Sequence, residues 1–204
     1  FTNKFGKVSG IVYGGTSRKV KNHLQLTNRI YISYNSKNEN KIGYFKTELI
    51  EAIAPQYFDD KNKILCLNSI SSILRTLLPE NQRYQNVYSS LVGFFESLKE
   101  SGWLPKYLEW EVDLITSLGF GFDFDDKKSY INNGKKNYNL KIDNINYSIP
   151  VFLILKKYIN VSTQEISEGL IFCRTLMENK FFIPNNIKFP QSRRLLENKF
   201  LKTN

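Results

Sequence analysis

The chain has 204 residues, 41% of them hydrophobic, and a formal charge of +10, enough for one large domain or two modest ones with a real core. No run of about 18 apolar residues exists, so no helix is expected to span a membrane, and no basic start, apolar stretch and small-residue cleavage site reads as a secretion signal. Cys66 and Cys173 lie far apart, which argues against a disulfide scaffold and a four-cysteine zinc site; two buried free thiols in a reducing cytoplasm are the expectation.

Net positive charge points to polyanions. The chain is also rich in Asn, Lys, Ile, Tyr and Phe, as an AT-rich coding sequence would make it, so the distribution of charge matters more than its total. Residues 1–57 carry nine Lys and Arg against three acids, residues 58–118 six against eight, and residues 119–204 fourteen against eight. The middle is acidic, and the shortest segment, at the front, is the most basic for its length.

The first segment reads as three strands. Phe5 to Tyr13 mixes β-branched and aromatic residues and ends at the Gly14-Gly15 turn signal. Leu24 to Tyr34 follows, with Leu24, Leu26, Ile30 and Ile32 at even spacing, which predicts one buried face. After the polar stretch from Asn35 to Asn40, Gly43 to Ile53 makes the third strand, closed by Pro55. Three strands are too few for a closed five-stranded OB barrel. The chain opens with Phe1, inside what reads as a strand, so further barrel residues are expected upstream.

From Asp60 the period becomes helical. Ile64, Leu67, Ile70, Ile73 or Leu74, and Leu77 mark a first helix, ended by Pro79. Gln82 to Lys99 is a second, with Val87, Leu91, Phe94 and Leu98 among its inward residues. Pro105 to Leu118 is a third, with Pro at its start, Gly119 just past its end, and Glu109 and Asp113 on its wet side. Residues 119–148 read as a non-helical insert holding a hairpin, its turn at Asn133-Gly134 between Tyr130-Ile131 and Tyr138 to Ile142. Pro150 opens a short helix. Ser162 and Glu165 form a capping box ahead of a longer helix that runs to about Phe181. Pro190 begins a last helix carrying Arg193, Arg194, Lys199 and Lys202. The expected class is α+β: a partial N-terminal OB-type barrel over residues 1–57, then an α-helical domain over residues 58–204 with a small hairpin insert.

Few residues here could do covalent chemistry. His23 is the only histidine, beside Lys21 and Asn22 with no acid near it in sequence, so a surface position is expected rather than a catalytic base. Asp123, Asp125 and Asp126 cluster, but the sixth position of a calcium loop would be Lys128 and the twelfth Gly134. A solvated turn is the expectation there. Gly14, Gly15, Thr16, Ser17, Arg18, Lys19, Val20 and Lys21 combine exposed amides, hydroxyls and three cations, the chemistry of a phosphate contact. The same residues also suit a plain solvated hairpin loop. Tyr31, Tyr34, Tyr44 and Phe45 lie on strands near those cations, where they either stack bases or fill the core.

Two stretches resemble the RecO family of bacterial recombination mediators. Phe5-Gly6-Lys7-Val8 through Gly14-Gly15-Thr16-Ser17-Arg18-Lys19 to Leu24-Gln25 is similar to that family's second strand and basic loop. Tyr107-Leu108-Glu109-Trp110-Glu111 through Leu118-Gly119-Phe120-Gly121-Phe122-Asp123 is similar to its Y-x-R-W-E-L-x-L-L-x-x-L-G-[FY]-G-L-D-L helix and turn. The resemblance implies an N-terminal OB-fold, here lacking its first strand, before a helical domain. It implies binding of single- and double-stranded DNA, annealing of complementary strands, and work with RecR and the acidic tail of the single-strand-binding protein SSB to load RecA in recombinational repair. Many members place a cysteine zinc site after the Gly-Phe-Gly turn. Asp125, Asp126, Lys127 and Lys128 stand there instead, so neither zinc nor any other cofactor is expected.

The resulting expectation is a DNA-binding protein without a catalytic centre. Arg18, Lys19, Lys21 and Arg29 are the expected phosphate contacts, helped by Lys7 and Lys46. An RNA-binding OB protein of the translation apparatus is the alternative. A magnesium nuclease using the acids at 123–126 is a third reading.

Overall fold

A computed structural model describes residues 1–35, 42–121 and 136–201. The chain is of mixed α+β class and divides into two compact units: residues 1–83 with 190–196, and residues 84–189 with 197–204.

The first unit holds β1 (Ile11–Val12), α1 (Arg18–His23), β2 (Arg29–Asn35), β3 (Tyr44–Glu51) and α2 (Lys61–Leu77). The strands form one sheet in the order β1-β3-β2. β2 and β3 run antiparallel, Ile32 facing Thr47 and Ser33 facing Lys46, while β1 lies parallel to β3. Among the described residues the sheet does not close into a barrel.

Two strand expectations need correction. The first strand is only Ile11–Val12: Gly6 takes a positive φ of 70°, and Lys7 makes an isolated parallel bridge with Glu80. The second begins at Arg29, not Leu24. Residues 18–23 are helical, Ser17 capping them by accepting a bond from the Val20 amide, and Thr27 sits at φ 67°. Leu24 and Leu26 therefore precede the strand and stand 37% and 62% exposed. The even spacing was real only from Ile30 onward.

α2 starts where Asp60 accepts from the amides of Asn62 and Lys63, an acidic N-cap that satisfies two orphan donors. Its predicted stripe is the core: Leu67, Ile70, Ile73 and Leu74 are buried. The N-terminal residues are clasped to the segment after this helix. Asn81 donates to the Lys7 carbonyl at 2.8 Å, Ser9 Oγ to Glu80 Oε1 at 2.6 Å, and Arg83 Nε to the Asn3 carbonyl at 3.2 Å.

The second unit holds α3 (Gln85–Ser97), α4 (Leu104–Ile115), β4 (Asn137–Ile142), β5 (Ile145–Pro150), α5 (Val151–Leu155) and α6 (Thr163–Met177). The last helix, α7 (Gln191–Leu201), begins in the first unit and ends in the second. α3 and α4 meet through Phe94, whose ring lies edge-on to Trp103 and Tyr107. Tyr107 Oη donates to the fully buried Glu111 at 2.5 Å, which lets a carboxylate sit in the core. α4 ends in a wide turn over Thr116–Phe120, with Gly119 at φ 96°. Glu109 and Asp113 are not simply wet. Their side chains are 19% and 28% exposed, and Lys156 lies 3.5 Å from each.

The described residues hold a hairpin other than the one expected at Asn133-Gly134. β4 and β5 join at Asp143 and Asn144, both at positive φ, 47° and 63°. Asp and Asn tolerate that conformation, and two such residues make the primed turn that matches strand twist. Asn133-Gly134 and the acids 123–126 lie outside the described residues. The buried face of β5, Tyr147 and Ile149, packs on α6, where Tyr147 meets Phe172 edge-on.

The capping box at α6 has both bonds: Glu165 N donates to Ser162 Oγ and Ser162 N to Glu165 Oε2, 3.3 and 3.0 Å. Burial works to raise the Glu165 pKa, but the Ser162 hydrogen bonds and the Lys136 charge prevail and hold it below the usual value. A depressed carboxylate stabilises the fold above its unfolded pKa and loses that contribution as pH falls through the folded one. Wild type minus Glu165→Gln is therefore expected to show a difference of roughly 0.5 kcal/mol near neutrality. In urea titrations across pH, that difference should vanish in acid.

Candidate nucleic-acid interface

The turn before α1 is tight. Gly14 adopts φ 66°, and Ser17 N donates to the Gly14 carbonyl at 2.9 Å. The short helix that follows sorts its residues. Val20 and His23, three apart, are half-buried, while Arg18, Lys19, Lys21 and Asn22 are exposed. Residues three apart share a helix face, so this spacing turns three cations outward in two turns of chain. The predicted basic loop is thus a basic helix, presented from a capped start.

The remaining predicted cations separate. Arg29 is exposed at the start of β2, opposite Glu51 at a register shift. Lys46 is exposed on β3, opposite Ser33. Neither these two nor Arg18, Lys19 and Lys21 form an ion pair with a described residue. Lys7 is engaged instead: its Nζ donates to the Arg75 carbonyl at 2.9 Å, holding the N-terminal segment to α2.

The fold also regroups the charge. The first unit carries +9 of the chain's +10 and the second only +1. The basic last third of the sequence largely cancels, because its lysines share a unit with the acids of α3 and α4. Arg174 pairs with Glu178 and Glu197, and Lys180 with Asp143. In the last helix Arg193 is fully buried and adds no outward contact, while Arg194 and Lys199 are exposed. Lys202 lies outside the described residues.

The four strand aromatics also part company. Tyr31 and Tyr34 are 58% and 51% exposed. Phe45 lies over Gly10, where an added Cβ would collide with its ring, and Tyr34 covers Gly43 in the same way. The aromatic that sequence reading left out is Tyr13. It stands 71% exposed with its ring stacked on Tyr44, centroids 4.6 Å apart and 11° from parallel. Its position two residues past Ile11 on the same strand pattern was the available signal.

No group of three or more His, Cys, Asp or Glu able to hold a metal occurs among the described residues, and no described helix is long and apolar enough to cross a membrane.

A family model described as "Recombination protein O C terminal" matches residues 59–138, the stretch holding α2, α3 and α4. Proteins named "DNA repair protein RecO" are similar over a longer span. The protein from Dinoroseobacter shibae is 32% identical over 124 residues, 60% of this chain and 52% of the relative. That from Ehrlichia chaffeensis is 32% identical over 139 residues, 67% and 55%, and that from Anaplasma phagocytophilum 33% over 107 residues, 52% and 44%. The chain spans about half the length of the relatives it matches. With the mixed α+β architecture, the matched helices and this shared identity together, the chain belongs to the RecO family.

Proposed function

We propose that this chain acts in recombinational DNA repair by binding and annealing single-stranded DNA, without covalent chemistry. The carrying observation is the α1 surface: Arg18, Lys19 and Lys21 exposed together, unpaired by described residues, on a unit of charge +9. Arg29 and Lys46 extend the phosphate contact, and Lys7 contributes through the field rather than by touch. Two DNA strands repel each other through their phosphates. A cationic surface that neutralises part of that charge lowers the repulsion and leaves base edges free to pair. The names of the relatives support the process. The partners that go with it are RecR and the acidic tail of SSB, and the outcome is loading of RecA in the cytoplasm.

The test is binding of single-stranded DNA as a function of salt. For wild type, log K should fall linearly with log salt, by roughly 0.7 per neutralised phosphate. Replacing Arg18, Lys19 and Lys21 by Ala should reduce that slope by about 2 and slow annealing of both bare and SSB-coated strands. An unchanged affinity and slope would sink the assignment. Tighter binding to structured RNA than to DNA in competition would move the reading to the translation apparatus.

A further inference from the structure

The β2–β3 register fixes which side chains share a sheet face. Tyr31 pairs with Glu48, Ser33 with Lys46 and Asn35 with Tyr44, while Ile30, Ile32 and Tyr34 pair with Leu49, Thr47 and Phe45. Directly opposed residues project to the same side, and residues two apart do so again. In the second set the central residues Ile30, Ile32, Phe45 and Thr47 are half-buried, while Tyr34 and Leu49 towards its ends are 51% and 39% exposed. The first set, with Ile11 opposite Tyr44 on β1, is open. On it Ile11 is 47% exposed and Tyr31 58%, and Tyr13, stacked on Tyr44, is 71% exposed.

Resting on the nucleic-acid reading above, we propose that this open sheet face is a stacking platform for unpaired bases, carried by Tyr13 on Tyr44 and by Tyr31. Tyr13 is the outer ring of a near-parallel pair, so its free face is offered as the end of a stack offers its last ring. A nucleobase meets such a face whatever its identity. The hydroxyl tips and Ser33, Asn35 and Lys46 around the rings suit the polar edges of a base and its phosphate. Glu48, opposite Tyr31, disfavours a phosphate at that end and leaves it to the base. The occupant is a nucleic acid rather than an apolar protein surface because the unit that presents the face carries +9, which attracts a polyanion and disfavours a second copy of itself. A duplex hides its base faces inside its own stack, so this platform reads single strands, whereas the α1 cations accept any phosphate backbone.

The experiment uses the full chain with three probes: an oligothymidylate strand, an abasic strand of equal length, and a duplex. Tyr13→Leu with Tyr31→Leu is expected to weaken oligothymidylate binding about tenfold or more, with abasic-strand and duplex affinity and the salt slope unchanged. Tyr13→Phe with Tyr31→Phe is expected to retain wild-type binding. Both residues are more than half exposed, so the variants should melt like wild type, which circular dichroism checks. Unchanged oligothymidylate binding in the Leu variant, or equal loss on the abasic strand, overturns the platform. So does sedimentation showing that wild type self-associates and the Leu variant does not, since the face would then join two copies. If wild type binds none of the probes, the nucleic-acid reading itself falls. If wild type binds them and the Leu substitutions leave oligothymidylate binding unchanged, the platform alone falls.

Discussion

Arg174→Met is expected to destabilise the second unit by about 3–5 kcal/mol. Arg174 Nε donates to both carboxylate oxygens of Glu197, at 2.9 and 3.1 Å, and Nη1 donates to Glu178 at 2.7 Å. The Glu197 side chain is only 5% exposed and that of Glu178 16%. Met keeps the apolar stem of Arg174 and removes the fork. Glu197 then stays buried without its bidentate partner, and the desolvation of its carboxylate loses the compensation those two hydrogen bonds supply. The pair ties α6 to the end of α7, so the loss should appear in urea unfolding and in hydrogen exchange of those two helices. Arg174→Met with Glu197→Gln should recover part of the loss, because the more deeply buried of the two carboxylates is then neutral. Arg174→Lys should recover little, since an ammonium cannot make the parallel pair of bonds. A cost below about 1 kcal/mol for Arg174→Met would mean that the network behaves like an exposed ion pair.

The second large effect is at Gly6. It holds φ 70°, and a Cβ there would run into the backbone carbonyl of Gln82. Gly6→Ala therefore meets two costs: a left-handed conformation, about 1–2 kcal/mol, and an overpacked backbone contact, about 1–3 kcal/mol more. Relieving the clash would pull the N-terminal segment from residues 80–83 and break the bonds through Asn81, Glu80 and Arg83. A total of about 3 kcal/mol or more is expected. Gly14→Ala is the control. Gly14 has nearly the same φ, 66°, with nothing within 4 Å of the added carbon, so only the conformational cost of about 1–2 kcal/mol applies. Equal midpoints for the two variants in urea would refute the contact as the cause.

The helical part was legible because its signals are local. The α2 stripe, the Gly119 terminator and the Ser162–Glu165 capping box each follow from residues within one turn of each other, and the structure has them. The expected Asn133-Gly134 turn lies outside the described residues. The hairpin that is described turns at Asp143-Asn144, a pair not singled out in the sequence, and its β5 buries Tyr147 and Ile149. The expected strand from Leu24 starts late because the alternating pattern extends by chance back over the turn between α1 and β2, where Thr27 takes a positive φ.

By itself the sequence determined the α+β class, the basic front, the family resemblance and the three α1 cations, all properties of residues adjacent in the chain. Tertiary structure alone decided which of those charges are free. It locked Lys7 to the Arg75 carbonyl, buried Arg193, and cancelled the basic last third against the acids of α3 and α4. It also decided which tyrosines face water, because that depends on strand register and on the glycines under Tyr34 and Phe45. Charge pairing and sheet faces join residues far apart in sequence, and no local pattern encodes them.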